Sequence, residues 1–190
     1  KDSDVDLRRL IARSRAVSCE ALDILSGDTE LEVRLGVVAN PNTTATLLTL
    51  LSRDQDVEVR RAVAGNSNTP PEVLEVLSHD QDVEVRRAVA GNSNTRPNSL
   101  EVMSQDPDEV IRHRIAGNSN TPPDALEVLS RHPDYGVRSS VAKNPGASLS
   151  VLESLSRDTE EWVREAVIEN PHVPPDLVTN LYKVMDKNRH

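Results

Sequence analysis

Six arginines stand 26 residues apart: Arg34, Arg60, Arg86, Arg112, Arg138 and Arg164. Six asparagines keep the same step: Asn40, Asn66, Asn92, Asn118, Asn144 and Asn170. Nothing has been inserted between copies, and a fixed period of this size is the mark of a solenoid. The clearest copy begins at Asp54 and reads DQDVEVRRAVAGNSNTPPE to Glu72. A chain built this way has no single centre to close around. Each repeat must bury its two flanks against its neighbours.

One repeat reads as two helices. Thr69-Pro70-Pro71-Glu72 has the chemistry of a helix start: a hydroxyl to accept from an orphan amide, proline in the first turn, and a glutamate to complete a capping box. Thr121-Pro122-Pro123-Asp124 repeats it. Val73, Leu74, Val76 and Leu77 then predict an inward stripe. After a polar turn, Val85, Ala88 and Val89 predict the inward face of a second helix. Gly91-Asn92 predicts that it ends on a left-handed residue, after about two turns of α or 3₁₀ helix. In front stands half a repeat, where Leu7, Arg8 and Ile11 match Val33, Arg34 and Val37. The expectation is one domain over 1–190. It has a partial repeat at 1–18, full repeats over 19–170 and a cap helix over 171–190.

Phe is absent and there are only one Trp and two Tyr, so Leu, Val, Ile and Ala must build the core. The net charge of −9 argues against DNA, RNA and anionic membranes, whose non-specific attraction rests on surplus Lys and Arg. One cysteine, Cys19, excludes an internal disulfide or an all-Cys metal site and fits a reducing, cytoplasmic compartment. No apolar run approaches the ~18 residues of a membrane span. Asp54-Gln55-Asp56-Val57-Glu58 lacks the glycine and the bidentate glutamate of a calcium loop. The five histidines do not cluster: His172 falls in a loop between repeats and His190 is terminal. No nucleophile–base pair or metal-ligand spacing is visible, so the expectation is a non-enzyme without cofactors.

The pattern Asn66-x-x-Thr69-Pro70-x-x-x-Leu74-x-x-Leu77-Ser78-x-Asp80-x-Asp82-x-x-Val85-Arg86-x-Ala88-Val89-Ala90-x-Asn92 resembles the leucine-rich repeat variant family. The resemblance runs from about Leu7 to about Leu181, six to seven repeats. It implies an all-α, right-handed superhelical solenoid in which an α-helix alternates with a shorter, often 3₁₀, helix. The founding bacterial member of that family carries a separate iron–sulfur module. This chain has no Cys cluster, so that function does not carry over. The Asp-x₅-Arg step also resembles HEAT repeats, whose units are usually longer. Both resemblances imply a binding scaffold, by analogy of fold.

The arginines are expected to be structural, each gripping the Asp six residues earlier: Asp28–Arg34, Asp54–Arg60, Asp80–Arg86, Asp106–Arg112 and Asp158–Arg164. His132 breaks that pattern, with Asp134 as substitute partner for Arg138. The asparagines are expected to satisfy loop backbone. One row does change from repeat to repeat. The outward slot of the second helix reads Leu35, Arg61, Arg87, His113, Ser139, Glu165. The slot three residues earlier, on the same face, reads Glu32, Glu58, Glu84, Val110, Gly136, Trp162. With Tyr135 and Trp162 as aromatic anchors, the outward row is the candidate partner-binding face. Arg61, Arg87 and His113 are expected to meet an acidic part of the same partner. The expected partner is a protein or peptide, bound by a monomer. A nucleic-acid-binding helical repeat is the alternative. A further one is a structural or engineered array with no ligand, since Asp80–Asn94 copies Asp54–Asn68.

Overall fold

In four repeats the second helix starts where an aspartate caps it, whereas Glu30 and Glu160 hold that place in two others and make no side-chain cap. Asp56 accepts from the Glu58 amide, Asp82 from Glu84 and Val85, Asp108 from Ile111 and Asp134 from Val137. The first helix starts on an extended Pro70, Pro122 or Arg96, or on a hydroxyl from Ser18, Thr44 or Ser148 that accepts from an amide. The computed structural model describes residues 2–187, with side chains over 4–183; His190 lies outside them. Among the described residues there are fourteen α-helices and no strand. None is long and apolar enough to cross a membrane.

The chain divides into two compact units, 1–95 and 96–190. The first holds α1 (Asp2–Arg13), α2 (Cys19–Ser26), α3 (Leu31–Val38), α4 (Ala45–Leu51), α5 (Val57–Gly65), α6 (Pro71–Leu77) and α7 (Val83–Gly91). Here α1, α3, α5 and α7 stack in sequence, and α2 leans on α4. The second unit holds α8 (Pro97–Met103), α9 (Glu109–Gly117), α10 (Pro123–Leu129), α11 (Tyr135–Lys143), α12 (Leu149–Leu155), α13 (Glu161–Ile168) and α14 (Pro175–Lys187). There α9, α11 and α13 stack, α8 leans on α10, and α14 closes against α13. All fourteen are α-helical, and the first helix of a full repeat is no longer than the second: seven residues in α6, nine in α7.

The core of one repeat is Val73, Leu74 and Leu77 from the first helix with Val85, Val89 and Ala90 from the second. Two expected core positions face elsewhere. Val76 is 60% exposed, and Ala88 is half-buried while Ala90 is fully buried. At 100° per residue, Val76 lies about 100° round from the middle of the arc that Val73, Leu74 and Leu77 share. On the second helix the buried arc runs through Val85, Val89, Arg86 and Ala90, which leaves Ala88 beyond its edge.

The turns also differ from expectation. Thr69 does not cap α6. Its buried hydroxyl donates to the Val63 carbonyl at 2.5 Å, as Thr95 does to Val89 and Thr121 to Ile115, both at 2.6 Å. The proline already supplies the extended entry to the helix, so the hydroxyl satisfies an orphan carbonyl at the end of the preceding one. No described residue has positive φ, and Asn92 is extended at φ −81, ψ 128. It needs no left-handed backbone because its side chain makes the turn.

Candidate partner-binding groove

Among the described residues, the two repeated ladders place Arg34, Asn40, Asn92, Asn118, Asn144 and Asn170 in the buried stack, and the other buried polar side chains are serines and threonines. Asn144 donates from Nδ2 to the carbonyls of Ala116 and Asn118 at 2.8 and 2.9 Å, and its Oδ1 accepts from the Gly146 amide at 2.8 Å. Asn170 repeats this on Ala142, Asn144 and His172. In the first unit Asn40 bonds Ala12 and Ser14, Asn66 bonds Val38, and Asn92 bonds Ala64 and Asn66. Asn118 accepts from the Asn120 amide at 3.0 Å. The Nδ2 bonds of Asn40, Asn66, Asn92, Asn144 and Asn170 satisfy the carbonyl end of the helix one repeat earlier.

The arginines correct the expected pairing. Arg34 grips Asp54 with Nε at 2.7 Å and Nη2 at 3.1 Å, Arg60 grips Asp80 at 2.8 and 3.2 Å, and Arg138 grips Asp158 at 2.7 and 2.9 Å. The partner is therefore 20 residues ahead, in the next repeat. Arg8 in the half repeat does the same to Asp28. What the fork takes from its own repeat is backbone: Nη1 of Arg60 donates to the carbonyls of Asp54 and Gln55, and Nη1 of Arg86 to those of Asp80 and Gln81. The Asp six residues earlier is unsuitable because its Oδ1 caps its own turn, on the Asp56 amide at 2.8 Å for Asp54, and it already faces the preceding arginine. His132 consequently affects Arg112, whose Nε donates to its Nε2 at 2.9 Å, and not Arg138. Arg164 ends the series on the carbonyls of Asp158 and Thr159, and its buried Nε has no acceptor. Burial pushes the Asp28, Asp80 and Asp158 carboxyls up. The arginine hydrogen bond, a backbone amide and two guanidiniums outweigh it and hold all three below the usual carboxylate range. With Asp54 and Asp56 committed to Arg34 and to the cap of α5, that segment has its carboxylates occupied by the fold.

The outward row behaves differently in the two units. In the first, it is covered by its own ion pairs: Glu58–Arg61 and Glu84–Arg87, each at 2.5 Å. Leu35 is half-buried. In the second unit the glutamate slot is Gly136 and the arginine slot is Ser139. The cover is missing there, and a groove of about 350 Å³ opens, lined by His113, Tyr135, Gly136, Ser139, Ser140, Lys143 and Trp162. Four residues of the expected face thus come together: His113, Tyr135, Ser139 and Trp162. Glu165 is half-buried in the same unit and does not line the groove. Leu35, Arg61 and Arg87 belong to the other unit.

The groove has a small polar floor on α11, with His113 of α9 on one side and Trp162 of α13 on the other. Trp162 is 67% and Tyr135 51% exposed. Nε2 of His113 lies 3.1 Å from the Ser140 hydroxyl, and Nζ of Lys143 lies 2.8 Å from Glu169. A Cβ on Gly136 would lie 2.8 Å from Oδ1 of Asp134, the oxygen that caps α11, and 3.6 Å from the His113 ring. The glycine therefore keeps both the cap and the opening. Gly136, Ser140 and Lys143 were not among the expected site residues. The signal for Lys143 lay in the repeats: its slot is Gly65, Gly91 and Gly117 in the three preceding ones. Among the described residues no three His, Cys, Asp or Glu side chains converge as a metal site would require.

The family model described as leucine rich repeat variant matches residues 57–82. A solved structure described as a leucine-rich repeat variant with a novel repetitive protein structural motif is similar at 32% identity, with a TM-score of 0.66 over 88% of this chain. The chain spans 66% of the length of that protein. Comparison with curated proteins found no match.

Proposed function

We propose that this chain, which belongs to the leucine-rich repeat variant family, is a non-catalytic scaffold that binds a protein or peptide segment as a monomer. The observation that carries the reading is the uncovered groove of the second unit, where the molecule's single Trp and one of its two Tyr stand exposed over Gly136 and Ser139. Two exposed rings lining a groove with a floor of small residues suit an aliphatic or proline side chain, with backbone groups in reach of Ser139 and Ser140. The polar ladders do not serve this reading, because their hydrogen bonds are spent inside the stack.

The test is selection of short peptides from a random library on the full chain, followed by titration of the selected peptide. Trp162→Ala should weaken it about 30-fold, the ~2 kcal/mol of an aromatic hot spot. Tyr135→Ala should weaken it less, and Arg61→Ala not at all, because Arg61 is paired with Glu58 in the other unit. Unchanged affinity in Trp162→Ala with helicity retained removes the groove from the reading.

A further inference from the structure

The charges around the groove of the second unit do not cancel. The lysine of its lining, Lys143, has Nζ 2.8 Å from Glu169, so that cation is matched within the fold. Glu165 is not matched. It stands one turn along α13 from Trp162, on the same helix face and outside the lining itself. It is the next member of the row that His113 and Ser139 carry along the groove, and it is half-buried. Among the described residues its carboxylate has no hydrogen-bond or ion-pair partner.

The first unit shows what this row holds when it is complete. On α5 and α7 a carboxylate and a guanidinium one turn apart close on each other, Glu58 with Arg61 and Glu84 with Arg87, each at 2.5 Å. On α13 a carboxylate occupies the arginine slot, and Trp162 stands in the slot of the glutamate. The helix thus carries the acid of such a pair without its cation, beside an indole that is 67% exposed.

We propose that the segment bound in this groove carries an arginine beside its aliphatic or proline anchor, with the guanidinium stacked on Trp162 and paired with Glu165. This rests on the reading of the groove as a peptide site. Charge selects a cation. An acidic side chain would meet Glu165 and Glu169 on α13, and the lysine that could answer it is already paired. Shape selects arginine over lysine. A planar guanidinium can lie on an indole and still present two N–H groups to a carboxylate, whereas an ammonium is a strongly hydrated point charge with no plane to stack. The half-burial of Glu165 strengthens such a pair over one in open solvent.

The test is selection of random-library peptides of about ten residues at low salt on the wild-type, Glu165→Gln and Trp162→Ala chains. The selected pools are sequenced, and the strongest wild-type binder is titrated. Arginine should be enriched at one position on the wild-type chain, and the enrichment should vanish on Glu165→Gln while its circular dichroism spectrum is unchanged. Replacing that arginine by glutamine should weaken binding about tenfold on the wild-type chain and less than about twofold on Glu165→Gln. Lysine in its place should weaken it about threefold. Binders that depend on Trp162 yet show no arginine enrichment, or lose nothing on Glu165→Gln, overturn the proposal and leave the groove reading standing. A lysine peptide that binds as tightly as the arginine one overturns it too, as does enrichment of Asp and Glu, which would give the charge contact to Lys143. Binders indifferent to Trp162→Ala remove the groove reading and this proposal with it.

Discussion

Replacing Arg60 by Ala tests the central geometric claim, that the arginine ladder binds each repeat to the next. The substitution removes two bonds to Asp80, at 2.8 and 3.2 Å, and two to backbone carbonyls. Asp80 keeps its bond to the Asp82 amide and the attraction of Arg86, but its side chain is only 9% exposed and loses the guanidinium bonded to it. One-sided removal from a buried pair costs about 3–5 kcal/mol. Arg60 itself is 20% exposed, so water reaches part of the vacated space, and screening lowers the figure to about 2–3 kcal/mol. For a chain of this length that is a fall in Tm of roughly 4–12 °C by circular dichroism. The decisive measurement is a pair of double-mutant cycles. Arg60→Ala with Asp80→Ala should show coupling of about 1.5–3 kcal/mol, and Arg60→Ala with Asp54→Ala under about 0.5 kcal/mol. Coupling to Asp54 instead of Asp80 would refute the inter-repeat pairing.

Three further outcomes are expected. Asp28, Asp80 and Asp158 have folded-state pKa values below their unfolded ones, so their stabilisation is fully present above about pH 4 and is lost as pH falls through the folded values. Urea midpoints should hold steady from neutral pH to about pH 5 and then drop, less steeply in Asp80→Asn; a flat profile down to pH 3 contradicts this. His132→Asp should raise Tm by about 2–6 °C. A neutral imidazole accepts at one nitrogen only, yet Nε2 faces the Arg112 donor and Nδ1 faces the Asp134 amide at 3.1 Å, whereas a carboxylate serves both; an unchanged or lower Tm argues against that rung. Deleting Gly65–Ala90 should leave a folded helical protein because every inter-repeat bond keeps its register, whereas deleting half as many residues should not; equal helicity in both would undo the repeat boundaries.

How far the sequence speaks can be seen residue by residue. The 26-residue step by itself determined the two-helix repeat, the recurrence of Arg and Asn, and the apolar identity of Leu74 and Val89. Period and polarity are local properties, and each copy states them again. Tertiary structure alone decided what each ladder touches. Asp54 lies six residues before Arg60 and Asp80 twenty after, and every repeat offers both, so a periodic sequence cannot separate pairing within a repeat from pairing across its boundary. The separation comes from where the carboxylate is already spent. Thr69 read as a cap because hydroxyl before proline has that chemistry, and only the preceding helix end, brought beside it, claimed the hydroxyl. Val76 read as core because it is apolar, but it stands about 100° round α6 from the middle of the arc that the stack buries and is left exposed. The groove was partly legible: Tyr135, Ser139 and Trp162 stood out as departures from the repeat. What opens it is the side chain that Gly136 lacks, and an opening is a relation between α9, α11 and α13 rather than a property of any one residue.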